Sequence, residues 1–298
     1  MRMIFIFIDG FGLGGEDASK NPLKAARTPN LDRIFSEYAV FPADAALGVP
    51  GLPQSATGQT AIFTGINAPA ALGRHLNAQP TITLKNIINS NNLFKELKSR
   101  GFKVTNANTY RQGYLDRMYD PAERKYRPSV TSVMTMSADI PFRKVEHYKN
   151  GRGVYHDITG KIIKESGYDV DTITPAEAAQ RLYNISRDYD FTLYEHFLTD
   201  IVGHSMDMKA AIAEIELLDE FLGSLFGLVD LKQNIIFISS DHGNIEDISV
   251  KTHTYNKVPI IVAGNLPVGY KPEIHSLLDI MPAVLEIFGL QQEDRNQG

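Results

Sequence analysis

The sequence contains no cysteine. Disulfides, thiolate metal sites and a cysteine nucleophile are therefore excluded, and any metal must be held by Asp, Glu, His, Ser or backbone oxygen. Long apolar runs are missing as well. The run from Met3 to Ile8 is stopped by Asp9 after six residues, and no small-residue cleavage site follows it. That is too short for a secretory signal core and far too short for a membrane span. It reads as a buried strand, and the expectation is a soluble, cytoplasmic protein with no membrane partner. An excess of positive charge is also absent: 30 Lys and Arg stand against 35 Asp and Glu, a formal net charge of −5. Non-specific nucleic-acid binding needs a basic footprint, so nucleic acid is not an expected partner. Small anionic substrates stay open, because a local metal charge outweighs a distributed surface charge.

What is present suits a sizeable core. The chain has 298 residues, of which 43% are hydrophobic and 22% charged, enough for one large α/β domain or a core with a small insertion. Continuous apolar runs at 3–8, 234–239 and 258–263 read as strands covered on both faces, with weaker ones at Lys103–Ala107 and Asp190–Tyr194. Helical patterns alternate with them. One opens at Thr28-Pro29-Asn30-Leu31, one covers Asn92–Lys98, and one opens at Thr174-Pro175-Ala176-Glu177. Residues 207–227 carry Ile212, Ile215, Leu218, Phe221 and Leu225 on one side, and 275–288 give the last helix. The pattern predicts an α/β fold with a mostly parallel central sheet flanked by helices. Residues 1–110 and 170–298 would form the core. The Tyr-, Arg- and Gly-rich stretch 111–169, which includes Ser129–Val133, reads as a small inserted lobe lining the site, and polar Gln291–Gly298 as a frayed end.

Four predicted strand ends carry metal-capable side chains, and in parallel sheets ligands bind at carboxyl ends of strands. Asp9-Gly10 follows the first strand. Asp200 and His204 follow the strand near 190, Asp241-His242-Gly243-Asn244 follows 234–239, and His253 precedes the strand at 258. Each has an ordinary structural explanation alone: a turn, a helical pair, a core histidine. His75, His147, His156, His196 and His275 are read that way. Together the set offers three carboxylates and three imidazoles, a mixture suited to Zn²⁺ or Mn²⁺ rather than Ca²⁺. A second motif, Ser55-Ala56-Thr57-Gly58-Gln59-Thr60 after the turn Pro50–Pro53, places Ser55 at a helix start, where an anion is favoured. Thr57 and Thr60 are alternative nucleophiles, and a simple N-cap is the plain reading of Ser55.

Ser55-Ala56-x-x-x-Thr60-Ala61-x-x-Thr64-Gly65 resembles the nucleophile segment of alkaline phosphatase, with Ser55 ten residues before Gly65. Asp9-Gly10, Asp200-x-x-x-His204, Asp241-His242-Gly243-Asn244 and His253-Thr254-x-Asn256-x-Val258-Pro259 resemble the metal motifs of cofactor-independent phosphoglycerate mutase and phosphopentomutase, in that order along the chain. The resemblance implies an alkaline phosphatase-like fold and two divalent metal ions, Mn²⁺ or Zn²⁺ with Mg²⁺ as an alternative. It implies one site from Asp9, Ser55, Asp241 and His242, and a second from Asp200, His204 and His253. Ser55 would be the catalytic nucleophile, forming a phosphoserine on a small phosphorylated metabolite. Two features depart from the mutases. The inserted segment is only about sixty residues, short for the closing domain a mutase needs to retain its intermediate, and Gln59 stands where the mutases carry histidine. Phosphomonoester hydrolysis is therefore the first expectation and a phosphomutase the second. Sulfatase-like or phosphodiesterase chemistry and a non-catalytic metal sensor or scaffold are further alternatives. Arg111, Arg143 and Lys85 are the candidate substrate-binding cations. The sequence is silent on oligomeric state.

Overall fold

Alternating β-branched and aromatic residues in Arg2–Ile8 form strand β1, and every one of its residues from Met3 onward is buried. In the computed structural model, which describes residues 1–120 and 128–290, β1 is the centre of a six-stranded sheet. The other strands are β2 (Ala39–Ala43), β3 (Val104–Asn106), β6 (Phe191–His196), β7 (Asn234–Ser239) and β8 (Val258–Gly264), in the order β2-β8-β7-β1-β6-β3. A separate pair, β4 (Thr109–Tyr110) and β5 (Arg143–Lys144), forms a two-stranded sheet. β1 runs parallel to both neighbours, with Met3 opposite Phe191 and Ile235. β3 also runs parallel to β6, whereas β8 is antiparallel to β7 and β2 antiparallel to β8.

The period of two along β1 divides the core. Met3, Phe5 and Phe7 point into one cluster with Phe191, Phe237 and Phe63, where the Phe5 and Phe237 rings stack at 5.0 Å. Ile4, Ile6 and Ile8 point into the other, with Tyr194, Ile236, Ile238 and Phe221. Helices Ser55–Thr64, Leu93–Ser99, Val130–Ser137 and Ile280–Ile287 cover the first face, and Pro29–Glu37, Pro175–Ser186 and Met208–Leu228 cover the second. The long helix starts after Asp207, whose carboxylate accepts from Lys209 N and Ala210 N. Its buried stripe begins at Ala211 and runs through Ile215, Leu218, Phe221 and Leu225, leaving Ile212 half-buried.

All five predicted strands form, and the α/β reading with a mostly parallel sheet holds. The last helix is preceded by a short 3₁₀ turn, Leu277–Asp279. β2 escapes the apolar-run criterion because it is a half-exposed edge strand with Pro42 inside it. Residues 111–169 send side chains to both faces: Val130, Val133 and Met134 join the first cluster, and Val145, Tyr148 and Ile163 join the second. The expected fraying of Gln291–Gly298 lies outside the described residues.

Candidate metal centre

Strand order decides which side chains meet. β7, β1 and β6 are adjacent and parallel, so their carboxyl ends emerge at one edge of the sheet. Asp9 follows β1 in the middle, its backbone N–H bonded to His196 O at the end of β6 (2.9 Å). Asp241 and His242 follow β7 on one side. Asp200 and His204 lie on the other, on the helix Leu198–Ser205 that continues from β6. His253 is returned to this edge by an antiparallel bridge between Gly243 and Thr254, with Thr254 N donating to Gly243 O at 3.0 Å.

Ser55 is the first residue of the helix Ser55–Thr64, and Gln54 occupies the cap position. The Ser55 hydroxyl is therefore not spent on capping; its Oγ lies 2.9 Å from His242 Nε2. Thr57 and Thr60, the alternative nucleophiles, donate to the backbone carbonyls of Gln54 and Ala56 at 3.1 and 2.6 Å and are fully buried. The helix comes very close to β7: a methyl group on Gly58 would sit 2.9 Å from Asp241 O and 3.0 Å from Asp241 Cβ. One turn in, Gln59 donates to Asp9 Oδ2 (3.0 Å) and Asp241 Oδ2 (3.2 Å). The amide thus joins the two strand ends.

Two groups of donors result. Ligand atoms of Asp200, His204 and His253 lie within 4.8 Å of one another, and so do those of Asp9, Asp200 and His242. Asp200 belongs to both, a sharing that the sequence reading, with Asp200 in the second set alone, did not anticipate. Distances are 3.3 Å from Asp200 Oδ1 to His253 Nε2, 3.4 Å from Asp200 Oδ2 to His204 Nε2, and 3.2 Å from Asp9 Oδ1 to His242 Nε2. Asp241 Oδ2 lies 3.5 Å from His242 Nε2, and its Oδ1 accepts from Gly10 N at 3.2 Å.

The protonation pattern fits a cation. His253 Nδ1 lies 2.8 Å from Pro53 O, and His204 Nδ1 lies 2.8 Å from Lys251 O. A carbonyl only accepts, so both Nδ1 atoms carry a hydrogen and turn their Nε2 atoms inward. These two Nε2 atoms face each other at 3.2 Å with Asp200 beside them, a convergence of nitrogen and carboxylate atoms that a shared proton or a cation would hold together. In the second group Asp9 Oδ1 is buried and receives no well-oriented hydrogen bond despite its contact with His242. Burial, then the charge of Asp241, pushes the Asp9 carboxyl well up, and burial likewise raises Asp241. Burial opposes the His242 imidazolium, but Asp241, Asp9 and Asp200 outweigh it and hold His242 up at about 10. Asp200 goes the other way: burial is outweighed by His253, His242 and Asn244, and its carboxyl falls to about 2. Crowded carboxylates held by one imidazolium are what a divalent cation would replace.

Two supporting residues were not singled out from sequence. Asn244 donates to Asp200 Oδ1 at 2.6 Å. Glu246, 1% exposed, accepts from Gly12 N (3.1 Å), Asn244 N (2.6 Å), Asn256 Nδ2 (3.0 Å) and Thr254 Oγ1. Over the centre opens a cavity of about 600 Å³, whose lining includes Asp9, Ser55, Gln59, Asp200 and His204 together with Tyr110, Tyr114, Tyr155, His156 and Phe197. His156, expected to be structural, is therefore in its wall. Of the three candidate cations only Arg111 lines the cavity, donating to Ser166 Oγ at 2.6 Å. Arg143 is buried and spent on Arg152 O, Asn106 O and Thr105 Oγ1 at 2.5–2.8 Å. These bonds tie it to the end of β3, and it is not among the residues lining the cavity. Lys85 is half-buried on the helix Ile82–Ser90, away from the cavity lining.

A family model described as the metalloenzyme superfamily matches residues 1–292. The chain belongs to the metalloenzyme superfamily. Membership implies divalent metal ions, and relatives in this superfamily are metal-dependent phosphatases or phosphomutases. Curated relatives include the 2,3-bisphosphoglycerate-independent phosphoglycerate mutases of Cereibacter sphaeroides strain ATCC 17025, 28% identical over 191 residues, and of Desulforudis audaxviator, 32% identical over 123 residues. The matches cover 61% and 39% of this chain but only 36% and 24% of those mutases. Among solved structures, a Pyrococcus horikoshii protein aligns over 98% of both chains with a TM-score of 0.63 at 15% identity. The alkaline phosphatase of the Antarctic bacterium TAB5 aligns over 98% of this chain and 99% of its own, with a TM-score of 0.56 at 13% identity. The fold of this metalloenzyme is thus alkaline phosphatase-like. No helix among the described residues is long and apolar enough to cross a membrane.

Proposed function

We propose that this metalloenzyme transfers phosphoryl groups with two divalent ions, Mn²⁺ or Zn²⁺, and hydrolyses a small phosphomonoester through a phosphoserine at Ser55. The observation that carries the reading is Ser55 Oγ, freed from capping and 2.9 Å from His242 Nε2, at a helix N-terminus that opens into the cavity. Asp9, Ser55, Asp241 and His242 would hold one ion, and Asp200, His204 and His253 the other, with Asp200 near enough to serve both. Bound there, the ions supply Lewis-acid stabilisation of phosphoryl oxygens and lower the pKa of an attached hydroxyl.

The chain's own residues supply the rest. Ser55 loses its proton to solvent and its Oγ attacks phosphorus, forming the serine–phosphorus bond as the ester bond to the alcohol breaks. The departing alkoxide takes a proton from water. Water then displaces Ser55 from phosphorus, giving inorganic phosphate and the free serine. Gln59, tied to Asp9 and Asp241, holds both carboxylates in register throughout. Two ions balance three aspartates and one serine alkoxide, so an arriving phosphate meets a near-neutral site. Residues 111–169 would act as the cover, contributing Tyr114, Tyr155 and His156 to the cavity wall.

The second reading is a phosphomutase, favoured by the names of the curated relatives. Hydrolysis is preferred because Arg111 is the only Arg or Lys among the described lining residues, whereas a phosphorylated carboxylic acid brings a second anionic group that needs cations. A pure sensor or scaffold would have no use for a serine aimed at the metal ligands. Acid quench of the Mn²⁺-loaded protein during turnover of a metabolite panel tests the reading. Phosphate on the peptide containing Ser55, with free phosphate as product, supports it. Isomerised product without free phosphate selects the mutase, and absence of any phosphoenzyme and any turnover overturns both.

A further inference from the structure

Part of the cavity wall is aromatic. The His156 ring stacks on Phe197 with centroids 4.0 Å apart and planes at 22°, and the Tyr155 ring lies tilted beside it, centroids 3.9 Å apart. Tyr110 and Tyr114 form a second pair at 5.6 Å. His156 carries no positive charge near neutrality, since burial, with His196 and Arg111 nearby, pushes it down to about 3. It therefore behaves as a flat neutral ring and not as an anion ligand. The wall is continuous with the metal centre. Phe197 is the cap residue of the helix Leu198–Ser205, so Phe197, Asp200, Ile201 and His204 fall at i, i+3, i+4 and i+7, and all four line the cavity. Residues three apart on a helix lie about 5–6 Å apart at Cβ. A ring one helical turn from Asp200 matches a phosphate separated from a planar group by one or two bonds. Ile201, 52% exposed, extends the apolar surface on the same face.

On the reading of the site given above, we infer that the preferred substrate is a phosphomonoester whose alcohol carries a planar aromatic ring, stacked on the His156–Phe197 pair while its phosphate faces Ser55. A carboxylate-bearing alcohol finds few partners there, because Arg111 is the only Arg or Lys among the described lining residues. Aromatic stacking favours a planar ring over a saturated one by about tenfold in affinity.

The test compares benzyl phosphate with cyclohexylmethyl phosphate, which share size and a similar alkoxide leaving group but differ in planarity. Binding is measured by calorimetry on Mn²⁺-loaded Ser55→Ala protein, and turnover on the unaltered chain. About tenfold tighter binding of the benzyl ester is expected, falling to near parity in Phe197→Leu and persisting in Phe197→Tyr. Adenosine 5′-monophosphate in the same assay tests the spacing, because its ring lies several bonds beyond the phosphate; tighter binding of the benzyl ester than of the nucleotide supports the inference, and a preference for the nucleotide over the benzyl ester overturns it. Equal binding of planar and saturated esters, binding of neither, or a preference unchanged by Phe197→Leu overturns it. Should Phe197→Leu fail to melt cooperatively, His156→Leu takes its place with the same expectation. Benzyl preference in binding without turnover of any ester would refute the hydrolase while leaving the ring site intact. Equal binding with efficient turnover of both would do the reverse.

Discussion

His253 stacks on His242 with ring centroids 3.7 Å apart and planes at 14°, although the two belong to different donor groups. With Asp200 shared between those groups, the two donor groups are mechanically one unit. Loading should therefore be coupled. Asp200→Asn is expected to lower bound Mn²⁺ by more than one equivalent per chain, whereas His204→Ala removes one equivalent and leaves the other. Elemental analysis after gel filtration measures both. A full equivalent retained at unchanged affinity in Asp200→Asn would show the sites to be independent.

Much of this cluster was legible in the sequence because its metal-capable side chains sit directly after apolar runs, at Asp9 and Asp241-His242. Parallel strands force those ends to one edge, so knowing the strands was nearly enough to gather the ligands. The sharing of Asp200 was not legible, since it depends on β1 lying between β6 and β7. The surroundings of Arg143 were not legible for a related reason. Its partners are carbonyls and a hydroxyl brought in from residues 105, 106 and 152, and no motif marks a cation that serves backbone oxygen. The cavity wall went unnoticed because its rings come from separated segments, 110–114, 155–156 and 197.

Glu195 lines the cavity from the end of β6, and Thr131 Oγ1 donates to its Oε2 at 2.5 Å. Burial pushes its carboxyl up to about 7, with Thr131 opposing and Asp241 adding. An acid whose folded pKa is raised contributes stability below its unfolded value near 4.5 and loses it as pH rises through about 7. In the metal-stripped protein, Glu195→Gln keeps the acceptor for Thr131 and removes the ionisation. It should match the parent near pH 4.5 and exceed it near pH 8 by about 3 kcal/mol. Thermal melts at the two pH values check this, and a gain of equal size at both would contradict it.

A methyl group on Gly203 would lie 2.7 Å from Asn244 Cγ and 3.0 Å from Ile245 N. Asn244 in turn donates to Asp200 Oδ1 and to Asp200 O, at 2.6 and 3.0 Å. Gly203→Ala should displace the amide, cost about 1–3 kcal/mol of stability as overpacking does, and weaken metal binding through Asp200. Mn²⁺ titration alongside urea denaturation separates the effects. Loss of stability with unaltered Mn²⁺ affinity would mean that Asn244 does not position Asp200.

Glu246 makes the sharpest case for support from outside the ligand set. Its two oxygens gather donors from three segments: Gly12 N after β1, Asn244 N after β7, and Thr254 Oγ1 and Asn256 Nδ2 in the loop that delivers His253. Glu246→Ala leaves these buried donors unpaired, at about 1–3 kcal/mol each where water does not enter. The informative variant is Glu246→Gln. An amide offers one accepting oxygen and one donating nitrogen, so either the Gly12 and Asn244 pair or the Thr254 and Asn256 pair would meet another donor. Glutamine should thus fail to rescue: both variants lower the denaturation midpoint and weaken Mn²⁺ binding, in proportion to the loosening of Asn244 and His253. If Glu246→Gln instead binds Mn²⁺ like the parent, Glu246 acts by filling space and the three loops are positioned without it.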